Sequence, residues 1–147
     1  MLEEAFVEVY TKFKLNFYRG IFARLNERES SLSASEAFAI EVIYALNGPT
    51  ISQFADFLQI SLPNATYKVN ILIKKGYIEK LNSLTDRREY HLRVTPKFHD
   101  YYAINQNYIT TVMKRIEERF TEKETKHLEI MLSIISRELM PESEDHL

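Results

Sequence analysis

The stretch TISQFADFLQISLPNATYKVNILIKKGYIEK, Thr50–Lys80, carries two helix starts and a helix stop, and its reading decides the fold. Thr50-Ile51-Ser52-Gln53 has the spacing of a capping box, so a short helix is expected through Phe54, Ala55, Phe57 and Leu58. Gln59 and Ile60 leave room only for a tight connection. Ser61 can cap a second helix, with Pro63 in its first turn where the missing N–H costs nothing, running to Lys75 and ending at Gly76. Within it Ala65, Val69, Leu72 and Ile73 share one side at helical spacing, which leaves Asn64, Thr66, Tyr67, Lys68, Asn70 and Lys74 largely toward solvent. A polar outer face of Asn, Thr and Lys is what a DNA-reading helix needs.

Beyond Gly76 the period changes. Tyr77–Leu81 and Glu89–Thr95 carry β-branched and aromatic residues in partial alternation, separated by the polar stretch Asn82–Arg88, and predict an antiparallel hairpin with a charged tip. Pro96 then opens a helix through Tyr101, Ile104 or Asn105, Tyr108, Val112 and Ile116, and Thr121 caps a last one carrying Leu128, Met131, Leu132, Ile135 and Leu139. The acidic residues from Pro141 onward read as a frayed end.

Toward the N-terminus, Ser33-Ala34-Ser35-Glu36 is another capping box, opening a helix to about Asn47 with Phe38, Val42, Ala45 and Leu46 as its expected core face and Gly48-Pro49 as its stop. Arg28–Leu32 reads as a loop. Before it, Leu2, Phe6, Val9, Phe13, Phe17, Ile21 and Leu25 recur at steps of three and four, the signature of one long helix. Gly20 within that helix is either tolerated or permits a bend or a close approach.

A short helix, a tight turn, a second helix with a polar outer face and a charged hairpin make a winged helix-turn-helix, whose second helix enters the major groove. Long helices flank this module on both sides. The fold class is mainly α with a small β-hairpin wing, as one protomer over residues 1–147, the winged lobe at 33–97 and flanking helices at 1–27 and 98–140.

The chain resembles the MarR family of bacterial transcriptional regulators over essentially its whole length. The resemblance lies in Ile51-Ser52-Gln53-Phe54-Ala55, Leu72-Ile73-Lys74-Lys75-Gly76-Tyr77-Ile78-Glu79-Lys80, Asp86-Arg87-Arg88 and Leu92-Arg93-Val94-Thr95, four segments in the family's order and at its separations. Departures occur at Tyr67 and Ile71, where the family often has basic residues, and near Phe98, where it usually has a glycine. With fewer arginines on the reading helix, base contacts are expected to shift toward Asn, Thr and Lys. The resemblance implies a homodimer on a pseudo-palindromic operator, repression as the usual outcome, and dimerisation through the terminal helices. It also implies a crevice between those helices and the winged lobe for a small aromatic or lipophilic effector, which Tyr10, Phe13, Phe17, Tyr18 and Phe38 could line, although an aromatic stripe at helical spacing is more often plain packing.

Composition alone, with net charge -2 and pI about 6.1, argues against a nucleic-acid partner. Distribution reverses that inference. From Lys68 to Lys97 there are 8 Lys or Arg against 3 Asp or Glu, a local +5, and the remainder of the chain carries -7. Affinity for phosphates depends on cations placed along the backbone, so an acidic remainder turned away from DNA is compatible with binding. The expected roles follow from chemistry and position. Ser61, Asn64 and Thr66 can bond base edges or phosphates, with Tyr67 and Asn70 on the same outer face; Lys68, Lys74 and Lys75 suit the backbone; Arg87 suits a phosphate. Arg88, held by Asp86, suits the minor groove, where a narrow cleft focuses negative potential on a guanidinium. The structural alternatives are that Ser61 only caps and that Asp86 and Arg88 only shape the turn.

Several classes are excluded or left weak. Zero cysteines rule out disulfides, thiolate zinc sites, a Cys nucleophile and a thiol redox switch. With no Gly-rich phosphate loop, G-x-S-x-G or H-E-x-x-H, no enzyme chemistry is indicated and no cofactor is expected. No 18-residue apolar run exists and no basic-then-apolar segment follows Met1, so no membrane partner and a cytoplasmic location are expected. Two alternatives stay open. His91, His99, His127 and His146 with Asp100 or Glu residues could make the protein metal-responsive, though no His pair stands at i, i+4. A winged helix can also serve protein interaction alone.

Overall fold

Leu2–Leu25 forms one continuous helix, α1, in a computed structural model that describes residues 1–25, 32–82 and 89–143, the side chains of 101–105 and 143 excepted. Further elements follow in the expected order: α2 (Ala34–Ala45), α3 (Ile51–Leu58), α4 (Leu62–Lys74), β1 (Ile78–Asn82), β2 (Tyr90–Val94), α5 (Pro96–Arg119) and α6 (Glu122–Glu138). The fold is mainly helical with one two-stranded antiparallel hairpin. All three capping boxes form: Ser33 with Glu36, Thr50 with Gln53 and Thr121 with Glu124 each exchange side-chain and backbone bonds. Each satisfies two amides that a helix start otherwise leaves open, a local contribution of about 1 kcal/mol.

The turn between α3 and α4 is as tight as its sequence requires. Gln59 takes the left-handed conformation with φ 55°, and its N–H and that of Ile60 close onto Asp56 and Ala55 carbonyls. Gly76 ends α4 at φ +83°, a conformation that side chains rarely adopt. In the hairpin Ile78 pairs with Val94 and Asn82 with Tyr90. Each strand begins one residue later than the sequence suggests. One tie is invisible to periodicity: Leu92 N–H donates to the Pro49 carbonyl at 2.8 Å, and Thr50 forms a bridge with His91, so the α2–α3 connection lies against β2.

The core sits where α2, α3, α4, the hairpin and the start of α5 meet, with Ile40, Ile43, Phe54, Val69, Leu72, Ile78, Leu92 and Phe98 fully buried. At about 1.5–3 kcal/mol for each large apolar side chain, this cluster dominates the lobe's stability. The expected core face of α2 needs correction. Ala37, Ala39, Ile40 and Ile43 are buried, whereas Phe38 is 48% exposed, Ala45 is exposed, and Val42 and Leu46 are only half-buried. The sequence of α2 is apolar nearly all round, so two stripes satisfy the helical period and only the packing partners choose between them. The terminal helices are the reverse case. On α1 only Ile21 is buried, and α6 buries no residue at all. A frayed end is expected from Pro141; Pro141–Ser143 forms a 3-10 turn, and the residues after it lie outside the described ones.

Candidate nucleic-acid interface

The buried side of α4 is Ala65, Val69 and Leu72, each 0% exposed. That fixes its outer side. Asn64, Tyr67, Asn70 and Lys74 are exposed, and Thr66 is half-buried beside them. Ser61 is the N-cap, its hydroxyl accepting the Asn64 N–H at 3.3 Å. The Thr66 hydroxyl donates to the Leu62 carbonyl at 2.9 Å, so toward any ligand it offers lone pairs only.

The cations divide into held and free ones. Lys68 Nζ lies 3.2 Å from Ser35 Oγ, and Lys75 Nζ lies 2.6 Å from the Glu36 carboxylate, so both reach back to the first turn of α2. Burial alone would push the Glu36 carboxyl up. The hydrogen bond from Lys75 and the Ser33 N–H outweigh that and hold it below the usual range. On the hairpin Arg93 pairs across the strands with Glu79, Nε to Oε1 at 2.6 Å, and Lys80 lies 5.6 Å from the Tyr90 ring centre. Lys97, from the first turn of α5, donates to the Lys75 carbonyl at 2.8 Å and covers the Tyr77 ring. Among the described residues of this basic segment, Lys74 is the one cation with no hydrogen bond, ion pair or ring contact. Asp86, Arg87 and Arg88 lie outside the described residues.

Two features of this face are not among the sequence-predicted residues. Leu62, in the first turn of α4, is 52% exposed. It joins Thr50, Ile51, Ser52, Thr66, Glu89 and Tyr90 around an open hollow of about 240 Å³ between the start of α3, α4 and β2. The only sequence signal for Leu62 is a leucine just after a cap, which reads equally well as core. The hollow itself depends on the strand crossing that periodicity does not report.

The aromatic residues expected around an effector are spread over two helices. Phe13 on α1 meets Tyr108 on α5 edge-on at 5.6 Å, and Phe17 and Tyr18 are neighbours at 6.0 Å. Tyr10 stacks on Phe6 and carries Lys14 over its ring. Phe38 on α2 has no ring contact among the described residues. Three residues beyond it lies Glu41, which no sequence motif marks: a half-buried carboxyl with Oε1 unpartnered, pushed up to about 7 by burial. Of the candidate metal ligands, His91 Nδ1 donates to the Gly48 carbonyl at 2.8 Å and His99 packs against the Tyr44 and Phe98 rings. His127 is exposed on α6, and His146 lies outside the described residues. Among the described residues no three His, Asp or Glu side chains gather as a metal site. No helix among them is long and apolar enough to cross a membrane.

Residues 32–90 match the sequence model of the MarR family. The fold also matches solved structures over nearly the full chain. Streptococcus pneumoniae FabT, crystallised in complex with DNA, is 25% identical over 94% of both chains with a TM-score of 0.58. A point mutant of MepR from a multidrug-resistant S. aureus clinical isolate is 14% identical over 95% of this chain and 98% of its own, with a TM-score of 0.64. The transcriptional regulator Tm0710 from Thermotoga maritima is 19% identical over 94% of this chain and 96% of its own, at 0.60. No curated protein sequence matches.

Proposed function

We propose that the chain is a DNA-binding transcriptional regulator of the MarR family, which acts as a homodimer, reads a pseudo-palindromic operator and represses the promoter that the operator overlaps. Residues 33–97 form the DNA-binding lobe, and 1–27 with 98–140 the dimerisation helices. In the major groove, α4 presents Ser61, Asn64, Thr66, Tyr67 and Asn70 to base edges, and Lys74 to a phosphate. Lys68 and Lys75 keep their charges beside α2 and steady the helix, Arg87 meets the backbone, and Arg88 enters the adjacent minor groove.

The observation that carries this reading is the outer face of α4: Asn64, Tyr67 and Asn70 are exposed to solvent, with a free lysine, Lys74, at the helix end and a hairpin alongside. A helix in this setting is built to enter a groove. The DNA complex of FabT supports the same use of the fold. For the effector, the α1 aromatics and the exposed Phe38 favour a small aromatic or lipophilic molecule. With no cysteine, the chain has no thiol to oxidise, which leaves a reversible small molecule or no ligand at all.

Selection of bound duplexes from a random pool with the full chain tests the reading. The expected product is a two-fold symmetric sequence whose half-sites lie about one helical turn apart. A transcription assay on a promoter carrying that site should show repression. Enrichment of unrelated sequences with no symmetry would refute the operator model, and binding that ignores salt would refute DNA as the partner.

A further inference from the structure

Resting on the reading of α4 as the recognition helix, we propose that its half-site is made of A·T pairs, with thymine methyls met by Tyr67 and Leu62 and adenines read by Asn64 and Asn70. What the face lacks is the first reason. No arginine occurs between Ile60 and Asn82, so the bidentate fork that reads guanine O6 and N7 is absent from α4. Two of its three lysines are held: Lys68 by Ser35 and Lys75 by Glu36. The third, Lys74, lies in the last turn, whereas recognition helices read bases with their N-terminal residues.

The rest of the face is equally specific in what it offers. An asparagine amide presents one donor group and one acceptor, the pattern that matches adenine N7 and N6. Asn64 and Asn70 flank Tyr67 at steps of three, so the three form one slanted ridge across the exposed side. Along the helix axis the ridge rises about 9 Å, roughly three base-pair steps. Between the two amides Tyr67 is 67% exposed, and Leu62, in the first turn and beside the hollow, is 52% exposed. On a groove-facing helix, a wet tyrosine and a wet leucine offer apolar surface to whatever the groove presents. The only apolar group on the major-groove edge of any base pair is the thymine methyl. Polar and apolar side chains on this face therefore ask for the two members of the same pair.

The pool selection above, followed by fluorescence anisotropy on the selected duplex, tests the assignment with the full chain. Half-sites rich in A·T are expected. Replacing single thymines by deoxyuridine removes the methyl and keeps the pairing, and should weaken wild-type binding about fourfold at each methyl that is met. Tyr67→Ala should bind the thymine and uracil duplexes equally at its position, and Tyr67→Phe should still tell them apart. Asn70→Ala should lose discrimination of roughly tenfold or more between A·T and G·C at one pair. Symmetric half-sites dominated by guanine, or wild-type affinity indifferent to every thymine methyl, would overturn the A·T assignment while leaving DNA binding intact. A pool with no enrichment overturns both.

Discussion

The Lys75 ammonium sits 2.6 Å from the Glu36 carboxylate and joins the C-terminal end of α4 to the first turn of α2. Glu36 belongs at the same time to the capping box of α2, where its Oε2 accepts the Ser33 N–H at 3.2 Å. One carboxylate therefore caps one helix and is tied to the end of another.

Glu36→Gln separates these roles, because glutamine can still close the box but cannot pair with Lys75. Both side chains are half-buried, so the loss should match the upper end for a surface pair, about 1 kcal/mol by thermal unfolding. The sign with pH is fixed by the lowered Glu36 carboxyl. Its contribution is present above the ordinary carboxylate pKa and is lost as pH falls through the folded value. Wild type should lose stability in that acidic window, and Glu36→Gln should show a flatter profile there. Identical acid limbs for the two proteins would mean that the pair contributes nothing.

Lys74 and Lys75 are sequence neighbours with opposite expected behaviour on DNA. Lys74 is exposed and free, so Lys74→Ala should weaken binding to every duplex alike and reduce the slope of log K against log salt by about 1. Lys75 faces Glu36. Lys75→Met should weaken binding through the helix tilt and leave the slope unchanged, with Lys75→Arg restoring affinity. A slope reduced equally by both changes would place Lys75 on a phosphate after all.

Glu41 titrates in the opposite sense, since burial pushes its carboxyl up to about 7 while Oε1 has no partner. The folded protein then binds the proton more tightly than the unfolded chain does. Stability is full below the ordinary carboxylate pKa and declines as pH rises toward about 7, the reverse of Glu36. Glu41→Gln should remove that decline and raise stability at neutral pH by roughly 1–2 kcal/mol, a figure reduced because part of the group faces water. A variant with the same pH profile as wild type would show the carboxyl to be ordinary.

Such cases also mark what the sequence could and could not tell. Helix starts were legible because a cap is a local device: Ser33, Thr50, Ser61 and Thr121 each carry their own signal within four residues. The outer face of α4 was legible because Ala65, Val69 and Leu72 set a clean stripe. On α2 no clean stripe exists, and there the expected face was wrong. What Lys75 touches lies 39 residues away in sequence, and what β2 touches is the Pro49 carbonyl, so neither has a periodic trace. Spacing reports which side of a helix is inside. It does not report which neighbour a long side chain reaches.

The terminal helices leave an apolar surface that the described residues of the chain do not cover. On α6, Ile130, Met131, Leu132, Ile134 and Ile135 are each 37% to 49% exposed, and Leu139 is 67% exposed. Leu2, Phe6 and Val9 on α1 are likewise open. An isolated helix as short as α6 is marginal in water without an apolar face to pack, and within the protomer α6 has little. Burying a large apolar side chain from full exposure gains about 1.5–3 kcal/mol, and most of these are already about half covered, so burying most of the set in both copies is what offsets an association cost of roughly 4–15 kcal/mol. A second copy of the chain can cover it symmetrically. Sedimentation at micromolar concentration should therefore give a dimer, and Ile135→Glu should shift it toward monomer with the winged lobe still folded. Operator affinity should fall more than about a hundredfold in the same variant, since the two half-sites are then bound independently. A wild-type monomer at that concentration, or an Ile135→Glu dimer with full affinity, would remove these helices from the interface.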